Sequence, residues 1–209
     1  MERLTLAHDL MLLSLDPETG ARRKRQQMSY ATVGALLAEL ALADRIDLDD
    51  KRVVVVQATP TGRPAADELL ARVTQEKPHK AKWWVSRKQR GFVGQVLDEL
   101  VTAEVVQRRE GRFAGVFPTT RYPQIDGRRA IDLRADLKGI AVEGLSPTSA
   151  RTVALANLVV AAELHGQVFP GHRKRDLVRR LDELDRTGWV AKGVRQAIEA
   201  AKAAAAGGA

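Results

Sequence analysis

A chain of 209 residues can bury one good core and has no need of a second domain. It carries 34 Lys and Arg against 26 Asp and Glu, a net charge of +8 that favours an acidic partner such as a nucleic acid or an anionic membrane surface. The absence of cysteine excludes disulfides, thiolate metal sites and cysteine nucleophiles, and no apolar run reaches the roughly 18 residues of a transmembrane helix.

The opening MERLTLAHDLMLLSLD lacks a basic start and a small-residue cleavage site, so it does not read as a signal peptide. The expectation is a cytoplasmic protein, soluble or peripheral at a membrane surface. Thr5 is placed to cap a first helix with Leu6, Leu10 and Leu13 on its apolar face and Asp9 in the favourable first turn. DPETG, residues 16–20, stops it. Four consecutive cations follow, Arg22, Arg23, Lys24 and Arg25; a charge run in a loop is ordinarily a solvated linker. Ser29 then reads as the cap of a second helix with Val33, Leu36, Leu37 and Leu40 at core spacing. KRVVVVQA reads as one short strand ended by the turn TPTGRP, and Pro64 suits the first turn of a third helix.

The basic, aromatic stretch KPHKAKWWVSRKQR leads into a fourth helix over about residues 86–101. EVVQRREGRFAGVF reads as a hairpin over roughly residues 105–117. Its expected turn is Glu110-Gly111, with Phe113 and Phe117 on one face of its second strand. The remaining pattern is helical: to Leu137, over 146–164, over 173–184 and after Trp189. Residues 201–209 form an Ala/Gly-rich tail expected to fray, leaving one domain at 1–200. The fold class is therefore mainly α: a single-domain helical bundle with a short strand and a prominent β-hairpin.

No Walker loop, Gly-x-Gly-x-x-Gly or His-Glu-x-x-His occurs, the four histidines are scattered, and no serine sits in a nucleophile elbow. No catalytic residue, metal ligand or cofactor is indicated, and the chain is expected not to be an enzyme. Two readings of the cations stay open. A helix at 86–101 followed by a hairpin imitates the recognition helix and wing of a nucleic-acid binder. Arg87, Lys88 and Arg90 would then reach phosphates, with Arg108, Arg109 and Arg112 on the wing. On an anionic bilayer the cations instead face headgroups while Phe113, Val116 and Phe117 dip into the interface. A purely structural assignment has Phe113 and Phe117 packing inward and Trp83 and Trp84 filling the core.

The ordered set LTLAHDLMLLSLDPETG, LLAELALADRI, TPTGRPAADELL and LVTAEVV with its hairpin resembles the Golgi phosphoprotein 3 family, over about residues 4–118 and more loosely beyond. The resemblance implies a mainly helical domain that binds phosphatidylinositol 4-phosphate headgroups at a basic pocket and presses a hydrophobic hairpin onto the membrane. It also implies, for eukaryotic members, retention of glycosyltransferases through their cytosolic tails. The abundance of Ala and the excess of Arg over Lys fit GC-rich bacterial coding, and a bacterial member has no Golgi cargo. The family pocket uses a tryptophan, an arginine early in the second helix and two arginines three apart before the hairpin. These positions fall at Lys24, Val33, Arg90 and Val93, so only Arg90 is retained, with Arg87 three residues before it as a partial substitute, since i and i+3 share a helical face. One guanidinium does not clamp a phosphate that three were positioned for. The expected headgroup-binding residues are Arg90, Arg87, Lys24, Arg22, Arg23 and Arg25, with Phe113, Val116 and Phe117 as the membrane-contacting hairpin. The expected partner is an anionic, phosphoinositide-like lipid; a protein cargo and a homo-oligomer stay open, and nucleic acid is the alternative.

Overall fold

The computed structural model describes residues 4–87, 91–113, 116–184 and 188–206. The fold is mainly α, with two small antiparallel strand pairs.

Helix α1 (Leu6–Ser14) starts at Thr5 as expected. Thr5 Oγ1 accepts from the His8 N–H at 3.4 Å, and His8 Nδ1 accepts from the Thr5 N–H at 3.0 Å, a capping box with histidine in the usual glutamate place. All nine residues of α1 are buried, so it is a central rod and not a one-faced amphipathic helix. Helix α2 (Arg25–Leu42) packs along it, and Leu10, Leu13, Leu37 and Leu40 are fully buried in one shared cluster. The start of α2 corrects the sequence reading. Ser29 lies inside the helix, its hydroxyl donating to the Arg25 carbonyl at 3.2 Å, and the N-cap is Lys24.

The valine-rich strand is also half of a pair. β1 (Ile46–Asp49) lies antiparallel to β2 (Arg52–Val55) across a two-residue turn in which Asp50 and Lys51 have φ of 42° and 62°. IDLD was missed because its aspartates face out of the hairpin and dilute the strand signal. Helix α3 (Pro64–Gln75) begins at the expected proline. The helix expected over about 86–101 starts later, as α5 (Phe92–Thr102), entered through Gly91 at φ 92°, a conformation glycine adopts without strain, and the basic, aromatic stretch before it forms a helix of its own, α4 (Ala81–Arg87). Trp84 is fully buried, while Trp83 is half-buried and stacks on His79 with ring centroids 3.7 Å apart.

The predicted hairpin exists but is displaced. β3 (Arg109–Phe113) pairs with β4 (Phe117–Arg121), so Glu110 and Gly111 are ladder residues and not the turn. Every pair keeps the register of the Val106↔Gln124 bridge, and the buried Tyr122 anchors the returning strand. Phe113 is therefore on the first strand, paired with Phe117 on the second.

Helices α6 (Arg128–Ala141), α7 (Ala150–Ala161), α8 (His165–Val168), α9 (Lys174–Asp182) and α10 (Gly188–Ala206) complete the bundle. Ser149 caps α7, its hydroxyl accepting from the Thr152 N–H at 3.1 Å. Helix α10 closes on α2 and α4 at two glycines. A Cβ on Gly34 would lie 2.3 Å from the Val194 side chain, and one on Gly193 would lie 2.7 Å from Ala81. Among the described residues no helix is long and apolar enough to cross a membrane.

A buried ion network ties four helices together. Asp9, 2 % exposed, accepts from Arg129 at 2.9 and 2.6 Å and from Arg151 at 3.2 Å. Arg151 also donates to Glu39 at 2.6 Å and to the Leu4 carbonyl at 2.8 Å, and Glu39 accepts the Leu6 N–H at 2.8 Å. These arginines have their counter-ions within the fold.

Candidate anion-binding face

The basic run is built into the fold and does not behave as a linker. Asp16 organises its turn, accepting from the N–H groups of Glu18 and Thr19 and from the Thr19 hydroxyl, and it pairs with Arg23. The Thr19 N–H, its hydroxyl and the Arg23 guanidinium together hold the Asp16 carboxyl well below the usual carboxylate range. Gly20, at φ 66°, has no room for a Cβ, which would stand 2.1 Å from the Pro123 nitrogen. Its carbonyl accepts the Tyr122 N–H at 2.8 Å, and Arg23 donates its N–H to the Ser14 carbonyl at 3.2 Å. The cationic loop is thus clipped to the end of α1 on one side and to the base of the β3–β4 hairpin on the other.

At the mouth of α2 the charge is only partly compensated, by Asp16 on Arg23 and by Glu163 near Lys24. Lys24 has a left-handed φ of 50°, no side chain caps the helix, and the first turn holds no acidic residue. A helix N-terminus carries roughly half a positive charge and ordinarily attracts a carboxylate or a cap. Here four cations surround it. Glu163 alone approaches among the described ion pairs of Lys24, its carboxylate 4.0 Å from Lys24 Nζ and 3.4 Å from the Gln27 amide. Arg22 Nε is buried without a hydrogen-bond partner. Burial, and then the neighbouring Arg25, lower the pKa of Arg22; burial, and then Arg23, lower that of Arg134 on α6. His165 is pulled down first by burial, then by Lys174, with Lys24 adding to this and Glu163 opposing it. Each of these groups senses cations more than anions.

The hairpin continues this face. Val116 and Phe117 are 73 % and 65 % exposed, so these two do not pack inward. Phe117 and Arg121 share one face of β4, about 14 Å apart along the strand, and Arg121 stands directly opposite Arg109. Like charges facing across a ladder are unfavourable unless an anion lies between them. Arg108 is differently placed from the wing position expected: it precedes β3, pairs with Asp98 at 3.4 Å and lies over the Tyr122 ring at 6.0 Å. Phe113 is located by its backbone, its side chain lying outside the described set, and Lys88 and Arg90 lie outside the described residues altogether. Arg87 is exposed at the end of α4. Of the pocket positions implied by the family resemblance, Val33 is fully buried and Val93 packs against the core, so both serve the interior.

A separate hollow of about 680 Å³ has, among the described residues, an acidic lining. It lies between the start of α1, α3 and α5, and its acidic lining of Glu68, Asp98 and Glu99 outweighs Arg63. Two of these acids, Asp98 and Glu99, lie on α5 and give its side toward the hollow a negative charge among the described residues.

Among curated proteins none matches the chain. The family model for Golgi phosphoprotein 3 (GPP34) matches residues 6–201, nearly the whole length, and the chain belongs to that family.

Proposed function

We propose that this protein docks peripherally on anionic membranes, on the cytoplasmic side and without a reaction of its own. Phosphorylated headgroups of the phosphatidylinositol 4-phosphate kind bind at the mouth of α2, and the β3–β4 hairpin enters the interface. Family membership fits a lipid-binding peripheral role at this coarse level. The observation that carries the finer reading is the uncapped start of α2, ringed by Arg22, Arg23, Lys24 and Arg25 and held against the hairpin base by Gly20. Each cation near an anionic bilayer contributes on the order of 1 kcal/mol, so the run acts as a group. A phenylalanine entering acyl chains adds about 1.5–3 kcal/mol that salt does not screen. The pocket arginines of the family are replaced at Val33 and Val93, so selectivity among headgroups rests on clustered charge more than on a bidentate clamp.

The test replaces residues 22–25 together by serine and measures sedimentation with phosphatidylserine vesicles across a salt series. We expect binding at least fivefold weaker at low salt. The gap should narrow as salt rises, because exposed charges are screened over about 8 Å at physiological ionic strength. A folded quadruple variant that binds like the parent at low salt overturns the reading.

A further inference from the structure

A second basic feature lies away from this loop. Between the start of α4, helix α10 and the β1–β2 turn there is a hollow of about 320 Å³ whose lining includes Lys51, Lys80, Lys82 and Lys192 together with Trp189 and Leu48. Among the described residues no carboxylate lines it and none of the four lysines makes an ion pair. The four come from three separate stretches of chain. They converge because Gly193 lets α10 press onto Ala81, which sets Lys82 and Lys192 beside one another's helices. The loop at 16–24 leads into the N-terminal end of α2. The β1–β2 hairpin leaves its C-terminal end, and α2 is 18 residues, about 27 Å, long.

Lys51 supplies an independent observation. It is the second residue of a two-residue hairpin turn with both central φ angles positive, 42° at Asp50 and 62° at Lys51. Such turns favour glycine at that place, because a side chain there is strained. A lysine holds the position instead, and it lines the hollow. Asp49 and Asp50 are in the same hairpin but do not line it.

We propose that this hollow binds the phosphoryl groups of a small, multiply charged compound, separately from the membrane-facing loop. Lysine is a point-charge ligand for phosphate, and four around one cavity match two phosphoryl groups better than one. The half-buried Trp189 and Leu48 give the compound's body an apolar wall. The volume stands near the lower end of the roughly 300–1,000 Å³ range of small-molecule sites.

The probe is inorganic pyrophosphate, titrated into the full chain by calorimetry at 150 mM salt. We expect the tightest binding event in the parent to be one pyrophosphate per chain, ahead of weaker association with the diffuse charge of residues 22–25, and the comparisons below refer to that event. A Lys80→Gln, Lys82→Gln, Lys192→Gln variant should bind at least tenfold more weakly. An Arg22→Gln, Arg23→Gln, Arg25→Gln variant, which loses the same charge, should stay within twofold of the parent. Lys51→Gly should bind at least threefold more weakly while melting no lower than the parent, since glycine relieves the turn. No binding by the parent, or equal weakening in the two triple variants, overturns the proposal.

Vesicles identify the source of the phosphoryl group. The lysine triple variant is compared on vesicles bearing a phosphomonoester headgroup and on phosphatidylserine vesicles of equal charge. A loss confined to the first points to a lipid headgroup. Parent-like binding to both, with pyrophosphate binding lost, points to a free phosphorylated metabolite. Failure of lipid docking is read separately, from the loop variant on phosphatidylserine vesicles.

Discussion

Arg151 and Arg22 are both held partly inside the protein, yet their surroundings are opposite. Arg151 reaches Asp9, Glu39 and the Leu4 carbonyl with good geometry, and Arg129 joins it on Asp9. Arg22 has a buried Nε without a partner, and its charged neighbour Arg25 raises the cost of its charge. The first region neutralises its cations within the fold and spends them on joining α1, α2, α6 and α7. The second gathers cations at a helix mouth whose own dipole has the same sign. Net charge says nothing about which arginines belong to which set. The counter-ion does.

The comparison breaks most visibly at Asp9. Replacing it by alanine leaves Arg129 and Arg151 facing each other across a site 2 % exposed. Breaking a buried pair costs about 3–5 kcal/mol, and the lower end applies here because the Arg129 side chain is 40 % exposed. Urea unfolding should show a loss of about 3 kcal/mol, while the folded Asp9→Ala protein binds phosphatidylserine vesicles within twofold of the parent. A loss below about 1 kcal/mol would mean that solvent already satisfies these arginines.

A smaller effect is expected at the hairpin tip. Val116→Ser with Phe117→Ser removes side chains already 73 % and 65 % exposed, so the melting temperature should move little. Vesicle affinity should fall about tenfold, and it should fall at high salt too, where the contribution of residues 22–25 has faded. A drop in melting temperature beyond a few degrees would place these residues in the core. Unchanged binding at high salt would leave the loop as the sole membrane contact.

How much of this was legible depended on whether the signal was local. The Thr5 cap, the Pro64 start, the four-leucine contact and the presence of a hairpin follow from neighbouring residues, and the structure agrees with each. The start of α2 was not legible, because a left-handed lysine N-cap leaves no sequence signature while Ser29 supplies a convincing false one. The hairpin centre was misplaced for a related reason: Glu-Gly is a good turn, but Tyr122 and the Val106↔Gln124 bridge fix the register from outside the hairpin. Asp9 was read only as a favourable first-turn acid. Its partners are 120 and 142 residues away, and nothing local announces them. The same distance hides the meeting of Lys192 with Lys80 and Lys82.

The smallest effect is also the most local probe of the α2 mouth. His165 begins α8 with its Nδ1 buried and without a partner, and burial followed by Lys174 sets its pKa below the ordinary 6.5. The unfolded chain therefore takes up this proton first. Above pH 6.5 both states are neutral at this ring and the full stability is present. As pH falls from 6.5 through the depressed folded value the unfolded state binds more protons and stability declines, and below both values the loss is complete. His165→Gln should flatten that part of the stability curve between pH 7 and pH 5. Lys24 contributes to the depression and Glu163 opposes it, so the ring reports on the net charge beside α2. An anion bound there adds to the Glu163 side of the balance. Proton NMR titration, with the resonance assigned by loss in His165→Gln, should show the His165 pKa rising when soluble inositol phosphate is added. The rise should disappear in the residue 22–25 serine variant. A pKa that ignores the anion would separate His165, and the charge it senses, from the binding face.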